Sequence, residues 1–262
     1  MTRYLLLWLQ APLQSWGSDS KFGRRDTLNF PTKSGVMGLV CCALGHGGEQ
    51  REFLAEFALL KQTVISFVRT RQRQDETVKL PREPLLRDFH MVGSSYDDKD
   101  PWQTLLIPKT AEGKKAVGGG TKITYRYYLQ DAYFAVILEV PSDKAEMLAN
   151  ALQQPVWDLY LGRKSCVPTD FVFRGVFDSE AEATLKAEAI AKEKNLAKDF
   201  TVKELKNGEQ EGDEILTLTD VPVCFGERKV YRDRRVTVIN CSLTTWIFPT
   251  SVGVFPFQLA QV

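Results

Sequence analysis

The run Arg3 to Gln10 (RYLLLWLQ) carries an unbroken apolar stretch from Tyr4 to Leu9. It lacks the alternation of a strand with one wet face, and it is far shorter than the roughly 20 residues a membrane span requires. It predicts a strand buried on both faces and stopped by Pro12. Ala132 to Val140 (AYFAVILEV) predicts a second core strand. Between them, Pro31-Thr32-Lys33-Ser34 introduces VMGLVCCAL, an apolar helix of about three turns that Gly45 closes. Gln50 to Lys61 sets Phe53, Leu54, Phe57 and Leu60 on one stripe and predicts an amphipathic helix. Thr63 to Arg71 (TVISFVRTR) reads as a strand with a basic end.

Beyond Val140, Pro141-Ser142 predicts the cap of a helix from Asp143 to Gln153, and Phe171 to Phe177 (FVFRGVF) alternates like a strand. The order β-α-β-(arm)-β-α-β is ferredoxin-like, the RRM-like arrangement, which makes the expected fold class α+β. The palm is expected over residues 1–73 and 123–177. Residues 74–122, with Pro81, Pro84, Pro101, Pro108 and Gly118-Gly119-Gly120, predict an inserted β-hairpin arm, because a structureless loop of that length is rare inside a domain. The arm does not look like core material, so its removal is expected to leave the palm folded. Residues 178–239 predict a β-rich C-terminal part. It opens on a capping box at Ser179-Glu180-Ala181-Glu182 and an Ala- and Lys-rich helix to about Lys194. Residues 240–262 form a tail of unassigned role.

Composition narrows the function. The chain has 262 residues, 44% hydrophobic and 26% charged, as folded chains do, and is long enough to bury a core without staples. Its five cysteines are odd in number and lack CxxC spacing, and its two histidines, His46 and His90, cannot make an HExxH helix. GxSxG, GxxxxGK[ST] and GxGxxG are absent. No cofactor and no metal site is therefore expected. With neither a span-length apolar run nor a signal peptide, a cytoplasmic protein is expected.

Lys and Arg total 34 against 33 for Asp and Glu, a formal net charge of +1, which excludes a strongly basic coat but not a local site. The charge is segregated. Residues 178–214 carry 11 acidic and 6 basic side chains, leaving the remainder net positive. That acidic stretch reads as a solvated helix and hairpin facing away from nucleic acid. Basic residues gather at Arg69-Arg71-Arg73, along the arm at Lys109, Lys114, Lys115, Lys122 and Arg126, and from Arg228 to Arg235. Tyr125, Tyr127, Tyr128, Tyr160 and Tyr231 lie among or near them. Cations fix phosphates and tyrosine faces stack on splayed bases, so the pattern suits single-stranded nucleic acid; it also suits ordinary surface charge.

Four segments carry a resemblance. LQAPLQSWG (Leu9 to Gly17), FPTKSGVMGLVCCALG (Phe30 to Gly45), LLRDFH (Leu85 to His90) and YLGRKSCVPT (Tyr160 to Thr169) together resemble the CasD subunits of type I-E CRISPR Cascade complexes, within the RAMP superfamily. DVPVCFGERKVYRDRRVTVI (Asp220 to Ile239) also looks familial. The resemblance implies a non-catalytic subunit that grips the 5′ handle of CRISPR RNA and caps the CasC filament beside the large CasA subunit. Its thumb, here the arm, would touch the duplex of guide and target DNA.

The candidate RNA-binding residues are Lys33, Ser34, Arg126, Tyr160, Arg163 and Lys164. In PTKSG the helix start offers free N–H groups with Lys33 beside them, a phosphate site, although Thr32 and Ser34 equally serve as helix caps. In YLGRKSC, Gly162 lets the loop approach a ligand, Tyr160 offers a stacking face, and Arg163 and Lys164 are donors. Arg126 stands at the base of the arm. Trp16 reads chiefly as a core or loop anchor, and His46 as a capping or surface residue. His90 allows an alternative: with Tyr160 and Lys164 it could cleave RNA without metal, as a base that activates the 2′-OH beside a cation that stabilises the phosphorane. Its other reading is a structural histidine bonded to Asp88. A third alternative is a protein-interaction module that binds no RNA.

Overall fold

A computed structural model of the chain describes residues 2–17, 20, 23–73, 76–92, 99–106, 109–114, 122–205 and 212–241. The glycine patch at 118–120, Lys115 and the tail from 242 onward lie outside the described residues.

The two apolar runs pair with each other. Strand β1 (Thr2–Gln14) lies antiparallel to β6 (Lys122–Pro141), with Leu6 opposite Ile137 and Trp8 opposite Ala135. Leu5 to Leu9 are wholly buried, as a strand covered on both faces demands. Pro12 does not stop β1: the ladder skips one pair there, opposite Asp131 (φ 44°), and resumes at Leu13. A proline without an N–H is accommodated by such a local irregularity. Strand β3 (Gln62–Arg73) flanks β6, and β7 (Phe173–Phe177) flanks β1. The order β7-β1-β6-β3, antiparallel throughout, is that of a split β-α-β unit.

One face of the sheet is covered by α1 (Lys33–Leu44), α2 (Arg51–Phe57) and α4 (Ala145–Gln153). Thr32 Oγ1 caps α1 by accepting from the Gly35 N–H, and Gly45 (φ 69°) ends it in the left-handed conformation. His46 completes that end, donating its N–H to Cys41 O and packing its ring against Phe53. Burial pushes the Cys41 thiol up to about 11, so it acts as a hydrophobe. Ser142 does not cap α4; residues 142–144 form a turn closed by the Lys144 N–H to Pro141 O.

The opposite face corrects the sequence reading. Helix α5 (Glu180–Glu193), capped by Ser179 as anticipated, is not a solvated appendage. Ala183, Ala187, Ile190 and Ala191 press on Leu6, Trp8, Ile65, Phe67, Ala135 and Ile137. Its many charges hid a stripe of small residues narrow enough to let the helix lie close to the sheet. The C-terminal part joins the same sheet: β8 (Leu196–Glu204) pairs with β3, followed outward by β10 (Val230–Asn240) and β9 (Glu214–Cys224), giving one sheet β7-β1-β6-β3-β8-β10-β9.

The arm lies between β3 and β6 along the chain and grows from the outer parts of both. Strand β3 overshoots the sheet and pairs with β4 (Glu76–Lys79), while the first part of β6 pairs with β5 (Leu86–Val92). A short helix α3 (Pro101–Leu106) follows β5, and β2 (Arg24–Arg25) lies parallel to Tyr125 and Arg126 of β6. The arm root is pinned by Arg82. Its guanidinium lies over the rings of Phe200 (4.7 Å) and Phe134 (5.3 Å), pairs with Asp199 (2.8 Å), and donates to Ser66 Oγ and Asn29 O.

Candidate nucleic-acid interface

The motif segments converge on one place, the start of α1. The end of β1 bends through Ser15 and Trp16. Trp16 is fully buried and donates Nε1–H to Gln14 Oε1 (3.1 Å), so it is a core anchor. Gly35 in PTKSG is small for a reason: a Cβ there would sit 2.8 Å from the Trp16 ring. The loop from Tyr160 to Cys166 lies alongside, stitched by the Ser15 N–H to Leu161 O and by the Leu161 N–H to Cys166 O. Gly162 has φ 94°, and a Cβ would fall 1.7 Å from Ser15 O. The close approach this glycine permits is therefore to the β1 end.

Around these segments runs a two-part groove. One part, of about 530 Å³, is lined by Ser34, Tyr160, Gly162, Trp157 and Phe225. The other, of about 890 Å³, is lined by Arg25, Ser20, Thr217 and Thr219. Gly17, Thr32, Ser34, Lys229 and Tyr231 line both. Partial burial raises the Tyr231 phenol pKa further above neutrality. The arrangement offers aromatic faces, hydroxyls and cations along one furrow, the chemistry that holds unpaired nucleotides.

The predicted residues divide. Ser34 and Tyr160 line the groove, and Lys164 is exposed on the adjoining loop. Arg126 is half-buried on β6 beside Arg25, which itself lines the groove. Arg163 is spent on bracing: it donates to Tyr127 O (3.3 Å) and Arg25 O (3.0 Å) and lies 4.6 Å from the Tyr128 ring centre. It holds the loop to the arm root.

Lys33 is a correction. It is 1% exposed, and its Nζ donates to Leu60 O (2.5 Å), Ala58 O (3.3 Å) and Glu204 Oε1 (2.9 Å). Burial lowers its pKa, with Glu204 opposing that shift. The helix start it was meant to equip already has an anion, because Asp220 Oδ2 accepts the Lys33 backbone N–H (2.7 Å). Arg234 clamps Asp220 (2.6 and 2.8 Å) and Glu204 (2.9 Å); burial opposes its charge, but these carboxylates outweigh it and raise its pKa. Lys33, Glu204, Asp220 and Arg234 thus form a buried charge cluster joining α1 to the C-terminal strands. An incoming phosphate finds that position filled.

The alternative catalytic trio is not assembled. His90 sits on β5 opposite Thr124, with Nδ1 3.8 Å from Asp88 Oδ2. Thr124 lies four residues along β6 from Tyr128, about 13 Å at strand rise, and Tyr128 is where the Tyr160–Cys166 loop docks. No hydrogen bond or ion pair among the described residues joins His90 to Tyr160 or Lys164. Among the described residues, no group of three or more His, Cys, Asp or Glu side chains is placed to hold a metal ion, and no helix is long and apolar enough to cross a membrane.

Sequence reasoning missed Lys229, Tyr231 and Arg25 as groove residues. The GERKVYRD stretch stands out in the sequence for its charge and its tyrosine, but only the pairing of β9 with β10 brings it to α1.

Residues 4–237 match the family described as CRISPR-associated protein (Cas_Cas5). The chain is 32% identical over 181 residues to the CRISPR system Cascade subunit CasD of Escherichia coli (strain K12), covering 67% of this chain and 71% of that protein. Its fold is similar to a chain of a solved CRISPR RNA-guided surveillance complex. The TM-score is 0.64 at 28% identity, covering 90% of this chain and 89% of the other.

Proposed function

The chain belongs to the CRISPR-associated Cas5 family, and we propose that it serves as the CRISPR RNA-binding subunit of a cytoplasmic type I-E Cascade. In this reading the groove at the start of α1 holds the single-stranded 5′ handle. The chain caps the CasC backbone beside CasA, its arm reaches toward the guide paired with target DNA, and it cuts nothing. The observation that carries the proposal is the convergence on one groove of the family-like segments QSWG, PTKSG and YLGRK with GERKVY from the C-terminal strands.

The test is handle-RNA binding by purified variants. Tyr160→Ala, Lys229→Ala and Arg126→Ala are each expected to weaken binding by about 1–3 kcal/mol. The two cation variants also flatten the salt dependence, and the tyrosine variant does not. Repeat RNA stays intact throughout, with or without His90. Unchanged affinity in all three folded variants removes the groove assignment. Cleavage abolished by His90→Ala makes the chain a nuclease.

A further inference from the structure

The arm ribbon has two chemically different faces. Directly opposed residues of an antiparallel pair share a face, so the register sorts them without ambiguity. Arg87 with Tyr127, Phe89 with Tyr125, and Met91 with Ile123 occupy one side; Asp88 with Arg126 and His90 with Thr124 occupy the other. Strand β2 extends both faces, since Arg24 aligns with Tyr125 and Arg25 with Arg126. The contacts agree: Arg24 lies over the Tyr127 ring (4.9 Å), Arg87 over Tyr125 (5.5 Å), and Phe89 against Tyr125 (5.8 Å).

The polar side continues the groove. Arg25 lines it, and Arg126 stands next to Arg25, so a strand of RNA leaving the groove runs onto that face. The apolar side faces away. There Phe89 is 54% exposed, Met91 53%, Ile123 46% and Tyr125 41%, a contiguous uncovered apolar surface of the kind that marks an interaction site.

We propose that this apolar face is a protein-docking surface, and that its occupant is an apolar, carboxylate-bearing patch on an adjoining subunit of the assembly. The inference rests on the RNA-binding reading for the assembly in which the partner is found and for the RNA path along the opposite face. Three arguments select protein over nucleic acid. The proposed RNA path leads to the opposite face. Two of the four exposed apolar residues on this face, Met91 and Ile123, are aliphatic and offer no ring to stack on a base. Its composition of Phe, Tyr, Met and Arg is that of protein interface cores. The required carboxylate follows from charge: Arg87 projects on this side, whereas Asp88, the ribbon's own acid, is turned to the other.

A photoreactive benzophenone side chain placed at position 89, and separately at position 126, reads the two faces in the ribonucleoprotein purified whole. Position 89 is expected to cross-link to a protein subunit and position 126 to RNA. Cross-linking of position 89 to RNA, to a second copy of this chain, or to nothing overturns the docking surface. If position 89 reaches protein while position 126 does not reach RNA, the docking surface stands and the RNA path falls. As a second measurement, Phe89→Ser with Met91→Ser leaves handle-RNA affinity of the isolated chain within twofold and lowers incorporation into the complex at least tenfold. Normal incorporation of that double variant overturns the proposal.

Discussion

Gly162 shows how one residue decides the shape of the groove. Its positive φ disfavours any side chain, and the space where a Cβ would sit holds the Ser15 carbonyl oxygen. Gly162→Ala therefore adds roughly 1–3 kcal/mol of backbone strain to a clash that only lifting the loop relieves. With the loop go Tyr160 from the groove wall and Arg163 from the arm root. The expected outcome is a Tm several degrees lower and handle binding weakened more than by Tyr160→Ala. Melting and binding curves indistinguishable from the parent chain would show that the loop has room the geometry denies. Lys33 teaches the opposite lesson. A lysine at a helix start resembles a phosphate donor, and nothing local announces that it is buried. Its partners Glu204 and Asp220, and the Arg234 that clamps both, arrive from about 170 to 200 positions later in the chain. Sequence shows the charge of a residue, not the company it keeps.

Elements were legible where a local signal was strong. The apolar runs of β1 and β6, the Thr32 and Gly45 ends of α1 and the Ser179 cap of α5 all follow from neighbouring residues. Two elements were misread because their fate depends on distant partners: β6 continues 20 residues because β5 and β2 pair with its outer part, and α5 is covered because a sheet face needs it. The junction of β7 and α5 also carries a measurable consequence. Asp170 pairs with Arg174 (2.5 Å) and Lys194 (2.7 Å), fixing the start of β7 to the end of α5. Burial pushes the Asp170 pKa up, but the Lys194 hydrogen bond, the Phe171 N–H and the Arg174 charge together bring it below the usual 3.8. A carboxyl with a lowered folded pKa stabilises above its unfolded value, and that stability is lost as pH falls through the folded one. Asp170→Asn is expected to destabilise the chain at pH 7 and to flatten the acid limb of the stability profile below about pH 4. Parallel profiles for the two proteins across that limb would show that Asp170 does not couple to folding.

At the scale of the whole molecule, one sheet carries both the palm strands and the C-terminal strands, and the arm is the continuation of β3 and β6 beyond it. This changes what removing the arm does. Excising residues 74–122 takes away Arg82 together with β4 and β5. Asp199, 16% exposed, loses its ion pair, Ser66 loses a donor, and the rings of Phe134 and Phe200 lose the guanidinium packed on them. Removing one partner of a largely buried pair costs about 3–5 kcal/mol. That deletion is expected to lower Tm by roughly 10 °C, converting at about 2–4 °C per kcal/mol for a chain of this size. A shorter cut avoids the damage. The Tyr125 N–H goes to Gly23 O, so by the alternation of an antiparallel ladder the opposed pair His90 and Thr124 is the one that bonds across, and replacing residues 91–123 by a two-residue Asn-Gly turn closes a hairpin on it. It keeps Arg82 and the Tyr125 N–H bond to Gly23 O. This variant should melt within a few degrees of the parent and bind handle RNA, yet fail to enter the ribonucleoprotein, because Met91 and Ile123 are gone from the docking face. Equal melting temperatures for the two deletions would show that Arg82 does not hold the arm root to the sheet. Full incorporation of the shorter variant would show that the outer ribbon has no part in assembly.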